Sequence, residues 1–274
     1  MFNYNPRGEN LRALEQNILK FRALEMVMIL FYVEEIKSLA LRTIKVTDEF
    51  RKLHSNIDER LPDGTKKIFK KLWKFLVAEN VLSVEDSEDI ERIIDYRNDI
   101  AHSIQELVFD LNVDTYSKSL VKFSGTKYEY GVLERLKNYK ESMYEKFASK
   151  YIFELNIKSV LFAQAERTYL LELNRLDKKI IRLLELRKIE NKEIEGEMSS
   201  LNKEMLNELQ PYHPNNFKNN KQLTSRGVFC MNTLFKLNVS NILVSYLMRV
   251  SLDSVNKRKS NWLVNNAQQA IQHD

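Results

Sequence analysis

The sequence is poor in the residues that interrupt helices. Its 274 residues include only six glycines and four prolines. Glycine and proline are the residues that disfavour helix interiors and shape tight turns, so their scarcity favours long helices. With 43% hydrophobic and 30% charged residues, the composition is that of a folded globular protein. We therefore predict an all-α fold.

The chain contains a single cysteine, Cys230. One cysteine cannot form an intrachain disulfide, and no clustered cysteine or histidine companions suggest a metal site. Disulfides are typical of oxidising compartments, so their absence predicts a cytoplasmic protein. We expect neither a metal nor another cofactor.

Long hydrophobic runs are also missing. The first ten residues, MFNYNPRGEN, lack the charged and then apolar layout of a secretory signal. The longest apolar run is MVMILFYV at residues 26–33, whereas a membrane-spanning helix needs about 20 apolar residues. We therefore expect no membrane partner.

Several common catalytic motifs are absent. The sequence has no glycine-rich phosphate loop, no H-E-x-x-H and no G-x-S-x-G, so it gives no support to a P-loop ATPase, a zinc hydrolase or a serine hydrolase. A formal charge of +5 and a pI near 9.0 are compatible with a nucleic-acid partner. Because 43 basic and 38 acidic residues are interspersed through most of the chain, the charge permits RNA or DNA and demands neither.

Composition and apolar spacing divide the chain into four parts. Apolar residues three and four apart predict a helical bundle over residues 1–151, with an irregular stretch at 109–127. Residues 152–209 resemble a helical hairpin or a coiled-coil arm, with a change of the apolar repeat between Arg187 and Lys192, and this arm either packs within the chain or dimerises. A segment rich in proline and asparagine, residues 210–222, predicts a linker. Residues 223–274 then form a small carboxyl-terminal domain.

The stretch YRNDIAHS at residues 96–103 carries the first candidate site. It follows Ser83, a predicted helix cap, so we expect Arg97, Asn98 and His102 to lie well inside a packed helix whose inner face extends to Ile104. Asn98 and His102 are four residues apart and share a helix face, whereas Arg97 must reach over it. Histidine moves protons near neutral pH, and arginine stabilises charge on phosphate. These residues suit RNA cleavage without a metal ion.

The same string resembles the R-x4-H motif of the HEPN superfamily, a group of all-helical domains that includes many RNA-cleaving toxins and defence nucleases. The resemblance is close over residues 83–107 and general over residues 10–151. It implies that Arg97 and His102 are catalytic, that Asn98 is the accompanying polar residue, and that two motifs meet in a homodimer. It also implies attack by the 2′-hydroxyl of the RNA, and an antitoxin or regulatory protein as a partner. The alternative is a solvated ion-pair network.

The second candidate site lies near the carboxyl terminus. The spacing of Ser245, Arg249, Val250, Ser251 and Val255 resembles the helix-turn-helix of DNA-binding regulators. We expect Ser251 to cap the second helix and Val255 to anchor it by packing against the first. Arg249 stands where glycine is usual, which is tolerable if the backbone avoids positive φ. The exposed side of the second helix would present four polar and basic residues to DNA: Asn256, Lys257, Arg258 and Lys259. The alternative is a pair of core helices with a solvated basic tip.

Two functions remain open from the sequence. The first is a metal-independent endoribonuclease of a toxin or phage-defence type, with RNA as the substrate and DNA as a further partner of the carboxyl-terminal domain. The second is a non-enzymatic DNA-binding regulator or scaffold that uses the helical bundle for dimerisation.

Overall fold

The computed structural model describes residues 12–54, 59–61, 67–108, 111, 128–153, 157–220 and 222–271, without the side chains of 105–106, 158–159 and 267–271. In these residues the fold is all-α, as predicted, with nine α-helices and two short 3-10 helices. The α-helices are α1 Ala13–His54, α2 Ile68–Ala78, α3 Val84–His102, α4 Val132–Ala148, α5 Ile157–Ser200, α6 Lys203–Leu209, α7 Ser225–Lys236, α8 Asn241–Met248 and α9 Leu252–Ile271. None of the described helices is long and apolar enough to cross a membrane. The predicted irregular stretch 109–127 lies almost entirely outside the described residues.

The contacts between residues divide the chain into two compact units, residues 10–181 and residues 182–274. The predicted boundaries at 151, 209 and 222 mark changes in composition, whereas these two units are defined by contacts between residues. As boundaries of independently folding domains they stay predictions.

The first unit is built around α1. This helix of 42 residues buries Met28, Ile29, Ile36 and Ile44 completely or almost completely. It packs most extensively on α4 and also touches α2 and α3. Each fully buried aliphatic side chain of this kind contributes about 1.5–3 kcal/mol through removal of apolar surface from water. The core formed in this way holds α3 in place.

Helix α3 begins as predicted and ends earlier than predicted. The Ser83 side chain accepts a hydrogen bond of 2.9 Å from the Asp86 backbone N–H, which confirms the cap. The helix ends at His102, because the next residue, Ser103, leaves the helical conformation at φ −133° and ψ 62°. Ile104 is 71% exposed in a separate 3-10 helix, so its predicted place on the buried stripe is wrong.

Helix α5 runs unbroken over 44 residues, with no hairpin at the predicted change of repeat near 187–192. It contains no proline, and its only glycine is Gly196. Leu173 belongs to the core of the first unit, whereas Met198 packs against the core of the second. Packing within the chain is therefore seen at both ends of the arm, and its dimerisation stays a prediction.

The second unit packs α7, α8 and α9 around one apolar cluster. Part of the segment predicted as a linker belongs to this unit, because Asn216 is fully buried and its amide donates to the carbonyls of Gln210 and Pro211 at 2.9 and 3.0 Å. A Cβ on Gly227 would lie 2.1 Å from the Asn216 carbonyl oxygen, so only glycine fits there. The segment is thus packed onto α7, in contrast to the predicted free linker.

Candidate active site at the end of helix α3

Arg97 lies in the penultimate turn of α3 and bridges two side chains. Its Nη1 donates to Asn98 Oδ1 at 2.8 Å, and its Nη2 donates to Glu34 Oε1 on α1, also at 2.8 Å. The Arg97 side chain is only 18% exposed, and its buried Nε has no hydrogen-bond partner among the described residues. The guanidinium is therefore held in one orientation, with donor capacity left over.

Glu34 was not predicted as part of the site. It is 63 positions from Arg97 in the chain, so no local spacing could reveal the pair. Glu34 also lies 3.3 Å from the Nζ of Lys37, whose ammonium lies 5.0 Å from the centre of the Phe69 ring on α2. Among the described residues, Arg97 therefore pairs with a carboxylate of α1 and not with its helix neighbours Asp95 and Asp99. These contacts connect three helices at the candidate site.

His102 is the last residue of α3 and is exposed. The prediction that the whole motif lies well inside a packed helix is therefore wrong, because the helix ends with the motif. His102 forms no hydrogen bond or ion pair with any residue that the structure describes. Asn98, one turn earlier on the same face, is half-buried. The imidazole is thus accessible to a ligand, while the groups beside it are fixed.

Buried polar residues anchor the chain that follows His102. Arg22 of α1 is almost fully buried and donates to the carbonyl of Leu107 at 2.9 Å and to the hydroxyl of Tyr130 at 2.8 and 3.0 Å. Its guanidinium also lies 4.7 Å from the centre of the Tyr128 ring. Tyr128 donates to Glu25 at 2.8 Å, and burial raises the pKa of Glu25. The hydrogen bond from Arg22 thus anchors the backbone at Leu107, five residues after His102.

Two other charged residues of α3, Asp89 and Arg92, take part in an ion-pair network. Arg92 contacts Glu129 at 2.8 Å and also pairs with Asp89, while Arg135 of α4 contacts Glu129 at 2.7 Å. Burial raises the pKa of Asp89, but hydrogen bonds from Tyr139 and Arg92 outweigh it and lower the pKa overall. A structural ion-pair network accounts for these residues. It does not account for His102.

In the second unit, the predicted turn between two helices is present. Ser245 Oγ donates to the Val250 carbonyl at 2.6 Å, and Ser251 Oγ accepts from the Ser254 N–H at 3.3 Å, which confirms the predicted cap of α9. Val255 is buried as predicted. Arg249, however, has φ 52° and ψ 40°, the left-handed conformation that favours glycine. The condition under which a residue other than glycine is readily tolerated at this position, a backbone that avoids positive φ, is therefore not met.

The four predicted DNA-contacting residues of α9 do not share an exposed face. Successive residues of a helix point about 100° apart, so four in a row cannot all face one groove. Lys259 is half-buried with its ammonium 5.8 Å from the centre of the Phe235 ring, and Arg258 is also half-buried. Asn256 accepts a hydrogen bond of 2.8 Å from Asn241, and Lys257 is exposed.

No family model, curated protein or solved structure matches this chain. Among the residues that the structure describes, no three His, Cys, Asp or Glu side chains are grouped to hold a metal ion. The interpretation of both candidate sites therefore depends on the motif residues and on their geometry.

Proposed function

We propose that the protein is a metal-independent endoribonuclease that cleaves RNA at a site containing Arg97, Asn98 and His102. The observation that carries this proposal is that an accessible imidazole and a fixed guanidinium both lie in the last two turns of α3. Glu34 and Asn98 hold Arg97, and His102 is exposed without a hydrogen-bond partner in the part of the chain that the structure describes. Fixed groups beside an accessible one are what catalysis on a bound substrate requires.

The chemistry follows from these groups. The ribose 2′-hydroxyl loses its proton to an imidazole as its oxygen bonds to phosphorus, and the bond from phosphorus to the 5′-oxygen breaks. The 5′-oxygen leaves with a proton from a second imidazole, and the products are a 2′,3′-cyclic phosphate and a 5′-hydroxyl. Arg97 stabilises the negative charge that builds on the phosphate oxygens.

The motif supplies one histidine, whereas the reaction needs both a base and an acid. Two copies of the motif facing each other in a homodimer supply both groups. This need is the chemical reason for including a homodimer in the proposal. Each copy of the motif would also bring one arginine to the phosphate.

The proposal is tested by incubating the purified protein with mixed cellular RNA in excess chelator and mapping the cut ends. We expect cleavage with cyclic phosphate ends, and loss of cleavage in Arg97→Ala and His102→Ala. Arg92→Ala is the matched control, because Arg92 lies on the same helix and its ion pairs among the described residues are with the structural carboxylates Asp89 and Glu129. Cleavage that persists in His102→Ala would contradict the proposal.

A second candidate function is a DNA-binding regulator or scaffold. The observation that favours it is the capped turn between α8 and α9, with the bond from Ser245 to Val250 and the cap at Ser251. Under this function RNA is neither bound nor cut, and duplex DNA binds with a steep dependence on salt. Substitution of Lys257 and Arg258 by glutamine would then reduce that dependence.

As a biological setting for the nuclease we propose a toxin or a phage-defence effector. An antitoxin or another regulatory protein would then keep the site inactive. A pull-down that uses the His102→Ala variant as bait tests for such a protein, because we expect cells to survive expression of an inactive variant.

A further inference from the structure

The positive charge of the protein comes from its carboxyl-terminal part. Residues 1–208 contain 35 basic and 36 acidic residues, whereas residues 209–274 contain eight basic residues and two acidic residues, Asp253 and Asp274. The eight basic residues are Lys218, Lys221, Arg226, Lys236, Arg249, Lys257, Arg258 and Lys259. A stretch of one sign within an otherwise balanced chain indicates a polyanionic ligand.

Helix α7 presents this charge together with an exposed aromatic ring. Its inner face is buried through Cys230, Met231 and Leu234. On the opposite face are Arg226, Phe229 and Lys236, which are all exposed, and helix α7 contains no acidic residue. Arg226 and Lys236 are about 15 Å apart along the helix axis, with Phe229 between them.

Phe229 is 68% exposed and does not belong to the apolar cluster of its unit. A single exposed apolar residue needs no explanation by itself. Here, however, the ring lies between two cations whose charge is not neutralised by the helix that carries them. Arg226 donates at 3.2 Å to Gln210, a neutral amide, so it keeps its full charge.

We propose that the outer face of α7 binds single-stranded nucleic acid, with a base stacked on Phe229 and phosphates on Arg226 and Lys236. Aromatic rings set among cations bind single strands in this way, because every base has a face that can stack. A duplex does not fit the same groups, since its bases are already stacked on one another. This binding is independent of the cleavage chemistry at Arg97 and His102.

The test measures binding by the full-length chain carrying His102→Ala, so that RNA stays intact. The probes are a short fluorescent RNA, the DNA strand of the same sequence and the corresponding duplex DNA. We expect Phe229→Ala to weaken binding of the single strands roughly fivefold to a hundredfold, the range of one lost stack. Tyr246→Ala is the matched control, because Tyr246 is 59% exposed on α8, and we expect it to bind as the parent does.

The phosphate contacts have their own readout. Removing both cations with Arg226→Gln and Lys236→Gln should reduce the slope of log affinity against log salt by about 0.7 for each lost phosphate contact. Circular dichroism checks that each variant keeps its helices. Equal binding of the RNA and DNA strands would mean that α7 recognises the bases and phosphates that both strands share. A preference for RNA would identify RNA as the ligand.

Two results would overturn the proposal. The first is Phe229→Ala binding as tightly as Tyr246→Ala. The second is a preference for duplex DNA that is lost on Lys257→Gln, because α9 would then be the binding element. Neither result depends on whether the protein cleaves RNA, so the binding proposal and the nuclease proposal can fail separately.

Discussion

Replacing Arg97 by lysine separates charge from geometry at the candidate active site. Arginine donates through two nitrogens at once, to Asn98 and to Glu34, whereas an ammonium group cannot reproduce this planar fork. The bond to Asn98 is worth about 0.5–1.5 kcal/mol net. The pair with Glu34 adds less, because Glu34 is 60% exposed and its charge is screened by water. We expect Arg97→Lys to lower the free energy of unfolding by about 1 kcal/mol, or Tm by about 2–4 °C.

The expected loss of activity is much larger than this loss of stability. An oriented donor to a developing negative charge typically contributes about a hundredfold to a thousandfold in rate. Initial rates of RNA cleavage at saturating RNA, measured well below Tm, give the comparison. Arg92→Lys on the same helix serves as the control and should keep the rate of the parent. If Arg97→Lys also keeps that rate, the positive charge alone is sufficient, and the planar geometry of the guanidinium does not contribute to catalysis.

Three further predictions concern the fold. Ser83→Ala removes the cap of α3 and should cost about 1 kcal/mol in urea denaturation. Hydrogen bonding from Arg92 lowers the pKa of Glu129, so its stabilising contribution is present above the ordinary value of 4.5 and is lost as the pH falls through the lowered pKa. Glu129→Gln should therefore be less stable than the parent at neutral pH, with a difference that shrinks in acid. Arg249→Gly relieves the left-handed conformation at φ 52° and should raise Tm in thermal denaturation, and a lower Tm would contradict this reasoning.

The features that could be predicted from the sequence depend on local patterns. The scarcity of glycine and proline was enough to predict an all-α fold. The caps at Ser83 and Ser251 could be predicted because a cap is a contact within three residues. The order Arg97, Asn98 and His102 on one helix followed from the same kind of local reasoning.

The features that could not be predicted depend on contacts between distant parts of the chain. Glu34 is one of many glutamates on exposed helix positions, and only the packing of α1 on α3 makes it the partner of Arg97. Asn216 lies in a segment with the composition of a linker, yet it is buried and its Nδ2 donates to two backbone carbonyls. An asparagine-rich composition indicates that a segment is not helical. The composition does not indicate whether such a segment is buried, as Asn216 is here.

The basic run at residues 257–259 shows a different difficulty. Adjacent basic residues look like one patch in the sequence, but a helix turns them about 100° apart. Lys259 therefore lies over Phe235, while Lys257 faces solvent. The residues that do share a face, Arg226, Phe229 and Lys236, are separated in the sequence. The helical period matters more than adjacency in locating a binding surface.

The contact between Glu34 and Arg97 has two separable consequences for the candidate active site. The carboxylate orients the guanidinium, and it also neutralises part of the charge that a phosphate would otherwise meet. Glu34→Gln keeps an oxygen that can accept from Nη2 and removes the charge, so the rate at saturating RNA should stay near that of the parent. RNA affinity should then rise by up to about fivefold, the value of an exposed ion pair. Glu34→Ala removes the orientation as well, so its rate at saturation should fall. Measured together, a fall of equal size in both variants would mean that the charge of Glu34 takes part in the reaction itself.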